Sequence, residues 1–298
     1  MKKLLLLTVL IMALILTACT SSGDTSVKEE DKESSEKGEN AVTTKAEMVF
    51  DEMVAVSNDL CSVKLVEIDP DNMWGYTIKA ELENKSSDKT YMFSVDGAYI
   101  NGVQCDPFFA SEVASGKKAN ESIHFSDSDL EKNNIGEYTD IEITFKVYDS
   151  DDWQADDVAY ETVHVYPYGE ENAVKYTRAA KDTDTVLLDN EYATVIVTDY
   201  EQDEIWGYSA NVFILNKSDK NLMISVDEAS VNGFMADPYF STSISAGKCK
   251  FDSISWSETT FEENGIESVE EISFILNVSD YDEWLEDDYA NETIVLNP

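Results

Sequence analysis

Residues 87–109 read SDKTYMFSVDGAYINGVQCDPFF, and residues 218–240 read SDKNLMISVDEASVNGFMADPYF. The two stretches are copies of one another, and the likeness extends outward on both sides. Aligned from Asn58 and Asn190 to Pro167 and Pro298, with one gap beside Ser86, the halves share 40 identities in 109 pairs. Two copies of one domain therefore fill most of the 298-residue chain, each large enough to bury a core without metals or disulfides. Within the quoted stretch, Tyr91 to Ile100 and Leu222 to Val231 read as strands ending at Asn101-Gly102 and Asn232-Gly233. Asn-Gly between apolar runs is a strong hairpin signal, because both residues tolerate the positive φ of a tight turn.

Upstream, Leu60, Ser62, Val63 and Leu65, and in the second copy Tyr192, Val195 and Val197, alternate as in a half-buried strand. A second strand begins at Trp74-Gly75-Tyr76 or Trp206-Gly207-Tyr208, and an Asn-Lys-Ser turn closes it. Downstream, Asp-Pro-Phe-Phe or Asp-Pro-Tyr-Phe marks an edge or loop. Gly116-Lys117 and Gly247-Lys248 turn into strands near Ser122–Phe125 and Ser253–Trp256. Residues 127–136 and 258–267 suit one helical turn, with Asn134 opposite Gly265 at a left-handed position. Strands at Ile141–Tyr148 and Ile272–Val278, an acidic loop, and Ala159–Val165 or Ala290–Leu296 complete each unit. Short strands with turns every 8–12 residues and no long amphipathic helix predict an all-β protein of two antiparallel β-sandwiches.

The N-terminus carries a separate message. Lys2 and Lys3 precede an apolar run from Leu4 to Leu16, too short to span a bilayer but suited to a signal peptide. The run ends in Leu16-Thr17-Ala18-Cys19, which resembles the lipobox of bacterial lipoproteins. The resemblance implies cleavage before Cys19, a lipid on its thiol, and anchoring of an extracytoplasmic protein to the cell membrane. Residues 1–18 are then the signal peptide. Residues 19–45 are the lipidated Cys and a Ser-, Glu- and Lys-rich tether with too little apolar surface to order. Repeat 1 spans 46–167, a linker 168–184, and repeat 2 185–298. Together with the lipobox, the Asn-Lys-Ser turn, the Asn-Gly hairpin and the Gly-Lys turn resemble the immunoglobulin-like domains of Gram-positive cell-surface lipoproteins. That likeness implies tandem immunoglobulin-like folds and is silent on the ligand.

Chemistry is sparse. A net charge of −40 opposes binding to nucleic acid and to anionic lipid or wall polymers. The acidic loop, Asp149, Asp151, Asp152, Asp156 and Asp157 in one copy and Asp280, Asp282, Glu283, Asp287 and Asp288 in the other, offers carboxylates for Ca²⁺. The EF-hand spacing is absent, and in so acidic a chain a solvated loop is the alternative. Trp74, Tyr76 and Trp153, with Trp206, Tyr208 and Trp284, form a candidate platform for sugar rings or a peptide, against which stands burial in the core. Cys61 and Cys105 both face alanines, Ala193 and Ala236, in the other copy. They are either a disulfide or two small buried side chains; Cys249, in the place of Lys118, is left over. No catalytic motif is present, and the two histidines fall outside the repeated framework, so an enzyme is not expected. The expected function is non-catalytic binding of a protein, peptide or glycan at the cell surface. A calcium-stabilised spacer, or an envelope hydrolase or accessory subunit, is the alternative.

Overall fold

The structure, a computed structural model, describes residues 47–126, 133–203, 207–283 and 288–298. The signal peptide, Cys19 and the tether lie outside them. So do Trp206, Trp284 and Asp287.

Repeat 1 contains β1 (Met53–Ser57), β2 (Cys61–Asp69), β3 (Tyr76–Asn84), β4 (Tyr91–Ile100), β5 (Val103–Cys105), β6 (Ala110–Val113), β7 (Lys118–Phe125), β8 (Ile141–Asp149) and β9 (Ala159–Val165). Repeat 2 matches them in order. Its strands are β10 (Thr185–Asp189), β11 (Ala193–Asp203), β12 (Gly207–Asn216), β13 (Leu222–Val231), β14 (Phe234–Met235), β15 (Ser241–Ile244), β16 (Cys249–Trp256), β17 (Ile272–Asp280) and β18 (Ala290–Leu296). Among the described residues a short helix, α1 (Glu258–Asn264), and a single 3-10 turn (Glu170–Asn172) interrupt the strands, and residues 127–132 of the matching turn in repeat 1 lie outside the described residues. The Ser257 hydroxyl accepts the Thr260 N–H at the start of α1, and Gly265 ends it at φ 65°. Asn134, the partner position of Gly265, has φ 54°. The molecule is all-β with antiparallel sheets, as the strand spacing predicts.

The repeats share their pairing. In each, one sheet runs β1-β2-β3-β7 or β10-β11-β12-β16, and the other is built on β4-β8-β9 or β13-β17-β18, flanked by β5 and β6 or β14 and β15. The same bulges recur, between Leu65 and Glu67 and between Val197 and Asp199, for example. Asn101-Gly102 and Asn232-Gly233 all have positive φ, as their hairpins require. Alternation along β8 and β17 places Ile141, Ile143, Phe145 and Val147, or Ile272, Phe274, Leu276 and Val278, in separate apolar cores.

Three asparagine positions, of which Asn84, Asn101 and Asn216 are buried, tie the strands of each repeat together. Asn84 Nδ2 donates to the Lys89 and Val113 carbonyls, and Asn216 Nδ2 to those of Lys220, Ile244 and Ser245. Asn58 and Asn190 cap the turns into β2 and β11. Asn101 Oδ1 accepts N–H groups of Thr139 and Asp140, as Asn232 Oδ1 does from Glu270 and Glu271. Asn84, Asn101 and Asn216 satisfy backbone groups that would otherwise be buried without partners.

The repeats are not independent beads: Ala46–Pro298 forms one unit. Strand β16 of repeat 2 pairs with β5 of repeat 1 in a parallel bridge, Cys249 opposite Val103, giving a sheet of nine strands. The Cys249 N–H donates to the Gly102 carbonyl at 3.1 Å. Ile196, Phe213, Leu215 and Phe251, from the outer face of the β10–β16 sheet, pack on the core of repeat 1. The linker joins them: Tyr176 lies edge-on to Phe251, and Arg178 stacks over Phe213 with its carbon 5.6 Å from the ring centre. Arg178 also holds Asp184 through two hydrogen bonds of 2.7 and 2.6 Å, both side chains almost fully buried. Lys248 pairs with Glu142, and the Tyr99 and Ser245 hydroxyls lie 2.5 Å apart.

Candidate functional site

The acidic loops begin on strands that end in a buried carboxylate. Asp149 closes β8 and accepts the Lys89 ammonium at 2.7 Å, while its other oxygen accepts the Asp151 N–H. Asp280 closes β17 with the same arrangement: Lys220 at 2.7 Å, the Tyr289 hydroxyl at 3.1 Å, and the N–H groups of Asp282 and Glu283. Hydrogen bonding from Lys220 holds the Asp280 carboxyl down at about 2, and Lys89 lowers that of Asp149. An ammonium occupies the place a cation would take. Asp151, Asp152, Asp156 and Asp157 all face solvent, as do Asp282, Glu283 and Asp288. Among the described residues no group of three or more His, Cys, Asp or Glu side chains converges as one ion requires. Ca²⁺ takes six to eight oxygens at one point, and Asp287 of the second loop lies outside the described residues. The physical role of Asp149 and Asp280 is to fix the turn after β8 or β17.

The aromatic positions separate cleanly. Tyr76 and Tyr208 are buried, each 7% exposed, so they belong to the cores and not to a platform. The reason is position: each lies near the start of its strand, paired with Phe125 or Trp256. Burial raises both phenols, that of Tyr208 to about 12. Trp74 and Trp153 are 68% and 75% exposed. Trp74 sits on an Asx turn at Asn72, away from any described hollow.

Trp153 stands at the rim of a hollow of about 400 Å³ lined by Ser94, Asp96, Lys146 and Tyr148. Ser94 and Asp96 come from β4 and Lys146 and Tyr148 from β8, each pair two residues apart and so on one face. Lys146 Nζ lies 5.8 Å from the Tyr148 ring centre and 3.7 Å from Asp157. The Tyr160 hydroxyl donates to Asp96 at 2.7 Å, and that contact raises the phenol to about 12. An indole face, a phenol face, a carboxylate and an ammonium thus open to solvent together. Repeat 2 has Asn277, Ser279 and Asn291 where repeat 1 has Lys146, Tyr148 and Tyr160. There Asn277 donates to Asp227 at 2.6 Å and Asn291 donates to Asn277 at 2.5 Å.

A second cleft, of about 370 Å³, lies where the repeats meet, between Cys105-Asp106 on one side and Asp199, Asn211 and Asp252 on the other. Asn211 bridges Asp199 and Ser253 with bonds of 2.6 and 2.7 Å. Its residues come from both copies, and no alternation within one repeat announces it. Cys105 contributes an inert wall, because burial raises its thiol far above neutrality.

Cys61, Cys105 and Cys249 are all free thiols. The disulfide reading of Cys61 and Cys105 is therefore corrected. Cys61 pairs opposite Asn84 on β2, in one sheet, whereas Cys105 pairs opposite Ala98 on β5, in the other. Cys61 and Ala193 are both fully buried, as interchangeable small side chains would be.

No protein-family model matches the chain, and no curated protein does either. Among solved structures, a protein of unknown function from Porphyromonas gingivalis W83 is 14% identical, with 82% of this chain and 97% of that one covered at a TM-score of 0.22. A red sea bream transglutaminase is 10% identical at a TM-score of 0.23, with 81% of this chain but 31% of the transglutaminase covered. Likeness at this level carries no argument about function.

Proposed function

We propose that the protein is a non-catalytic binding module held outside the cytoplasmic membrane by a lipid on Cys19, its two repeats being tandem immunoglobulin-like sandwiches. The observation that supports binding is the hollow at Trp153, where an exposed indole stands beside Ser94, Asp96, Lys146 and Tyr148. An exposed indole beside a carboxylate, an ammonium and a hydroxyl suits a saccharide. The ring's C–H face stacks on the aromatic plane, and its hydroxyls exchange hydrogen bonds with Asp96, Lys146 and Ser94.

Isothermal titration of the soluble chain with amino-sugar and neutral glucan oligosaccharides tests this. Trp153→Ala is expected to weaken binding at least tenfold, whereas Trp74→Ala leaves it unchanged. Equal binding by both variants, or none by the unaltered chain, removes the reading. Anchoring is tested separately: Cys19→Ala should release the protein from the membrane fraction.

A second reading, a rigid spacer, draws support from the buried Arg178–Asp184 pair that fixes the linker. It expects no saccharide binding and a single rigid shape in solution scattering.

A further inference from the structure

The β4–β5 hairpin of repeat 1 and the β13–β14 hairpin of repeat 2 are the same element, but only the first is covered. In repeat 1, Val103 is buried and the Gly102 carbonyl accepts the Cys249 N–H of β16. At the matching positions of repeat 2, Phe234 is 50% and Met235 66% exposed. Strand β14 ends its sheet, and among the described residues nothing donates to the Gly233 carbonyl. Phe234 pairs with Val231 as Val103 pairs with Ile100, so it faces the same way toward a neighbour that β14 lacks.

We propose that this hairpin is a docking edge for another protein at the cell surface, seated on β14 as β16 seats on β5, with Phe234 as the anchor. An open sheet edge accepts a strand through backbone hydrogen bonds, and neighbouring side chains choose which one. Here the choice is set by charge. Residues 221–247 and 251–298 contain no Lys or Arg, and Glu270, Glu271 and Asp237 are exposed around the hairpin. Asn232 holds the Glu270 and Glu271 backbone against it. The partner strand therefore carries an apolar residue for Phe234 and basic residues beside it. A second copy of this chain fits poorly. Its net charge is −40, and the sheet of its repeat 2 that would receive such a hairpin is already covered by repeat 1. On the matching face of its repeat 1, Lys64 and Lys118 are already paired with Glu52, Glu81 and Glu83, with no apolar side chain set for Phe234.

The experiment places a photoreactive phenylalanine at position 234 of the full chain in its producing cells, with position 108, also exposed, as the control. Adducts are mapped by mass spectrometry. The expected result is an adduct specific to position 234, mapping to a strand flanked by Lys or Arg, with a yield at least fivefold lower in Glu270→Lys/Glu271→Lys. Those substitutions leave the backbone bonds to Asn232 in place. An adduct to another copy of this chain overturns the proposal, as does a yield indifferent to charge reversal or the lack of any adduct specific to position 234.

Discussion

The outer faces of the β1–β7 sheet and the β10–β16 sheet are the same surface built twice with opposite character. Repeat 1 places Lys64, Glu81, Glu83 and Asn120 there, with Lys118 paired to Glu81 at 3.0 Å. Repeat 2 places Ile196, Phe213, Leu215 and Phe251 at the same positions, and repeat 1 covers them. Cys249 in place of Lys118 follows the same logic, since a lysine ammonium would be buried against β5. Where duplicated domains differ in polarity at matched positions, the difference marks an interface; where they agree, it marks the fold.

Exchanging the two faces gives the largest effect. Phe213→Glu puts the residue of repeat 1 into the buried junction and should cost about 4 kcal/mol or more, from the lost ring and the buried charge. In urea the single unfolding transition is expected to split or shift sharply. The reverse exchange, Glu81→Phe, stays within about 0.5 kcal/mol because its face is partly solvated. Comparable losses in both would show that the two faces do not differ as described.

Next comes the linker. Arg178→Ala leaves Asp184 buried without its partner and should cost about 3 kcal/mol. Hydrogen bonding from Arg178 holds the Asp184 carboxyl down at about 2 in the folded protein, against an unfolded value near ~4. Its contribution is therefore complete above about pH 4 and is lost as the pH falls from about 4 to about 2. Melting curves across that window should show a smaller pH dependence in Arg178→Ala.

Asn84→Ala and Asn216→Ala test the shared framework. Each removes a buried amide that serves at least two carbonyls and should cost about 2 kcal/mol, by a similar amount in either copy. Chemical denaturation of the pair would expose any asymmetry. The smallest effect is expected for Cys61→Ala, which copies repeat 2 and should change stability by less than about 1 kcal/mol. Reducing agent should leave the melting temperature where it is.

Much of the fold was legible because its signals are local. Asn-Gly and Gly-Lys turns announce their backbone conformations, and alternation along β8 and β17 announces which side is buried. The buried tyrosines were less legible, since a strand's first residue can face either way until its partner is known. The buried end of the acidic loop was hidden for a related reason. Asp149 and Lys89 are 60 residues apart, so the ion pair exists only once β4 and β8 are adjacent. The Trp153 hollow needed the same adjacency. The junction could have been found earlier by asking which aligned pairs change from charged to apolar, such as Glu81 to Phe213, Glu83 to Leu215 and Lys64 to Ile196.

The parallel bridge between β16 and β5 also bears on how such a chain can be rearranged. Duplicated domains strung on free linkers can be reordered, deleted or multiplied with little penalty. Here the order is written into the surfaces. Placing repeat 2 first would leave four large apolar side chains facing water and press a charged face onto the hairpin that follows. Any rearrangement that separates the two repeats would have to rebuild both faces at once.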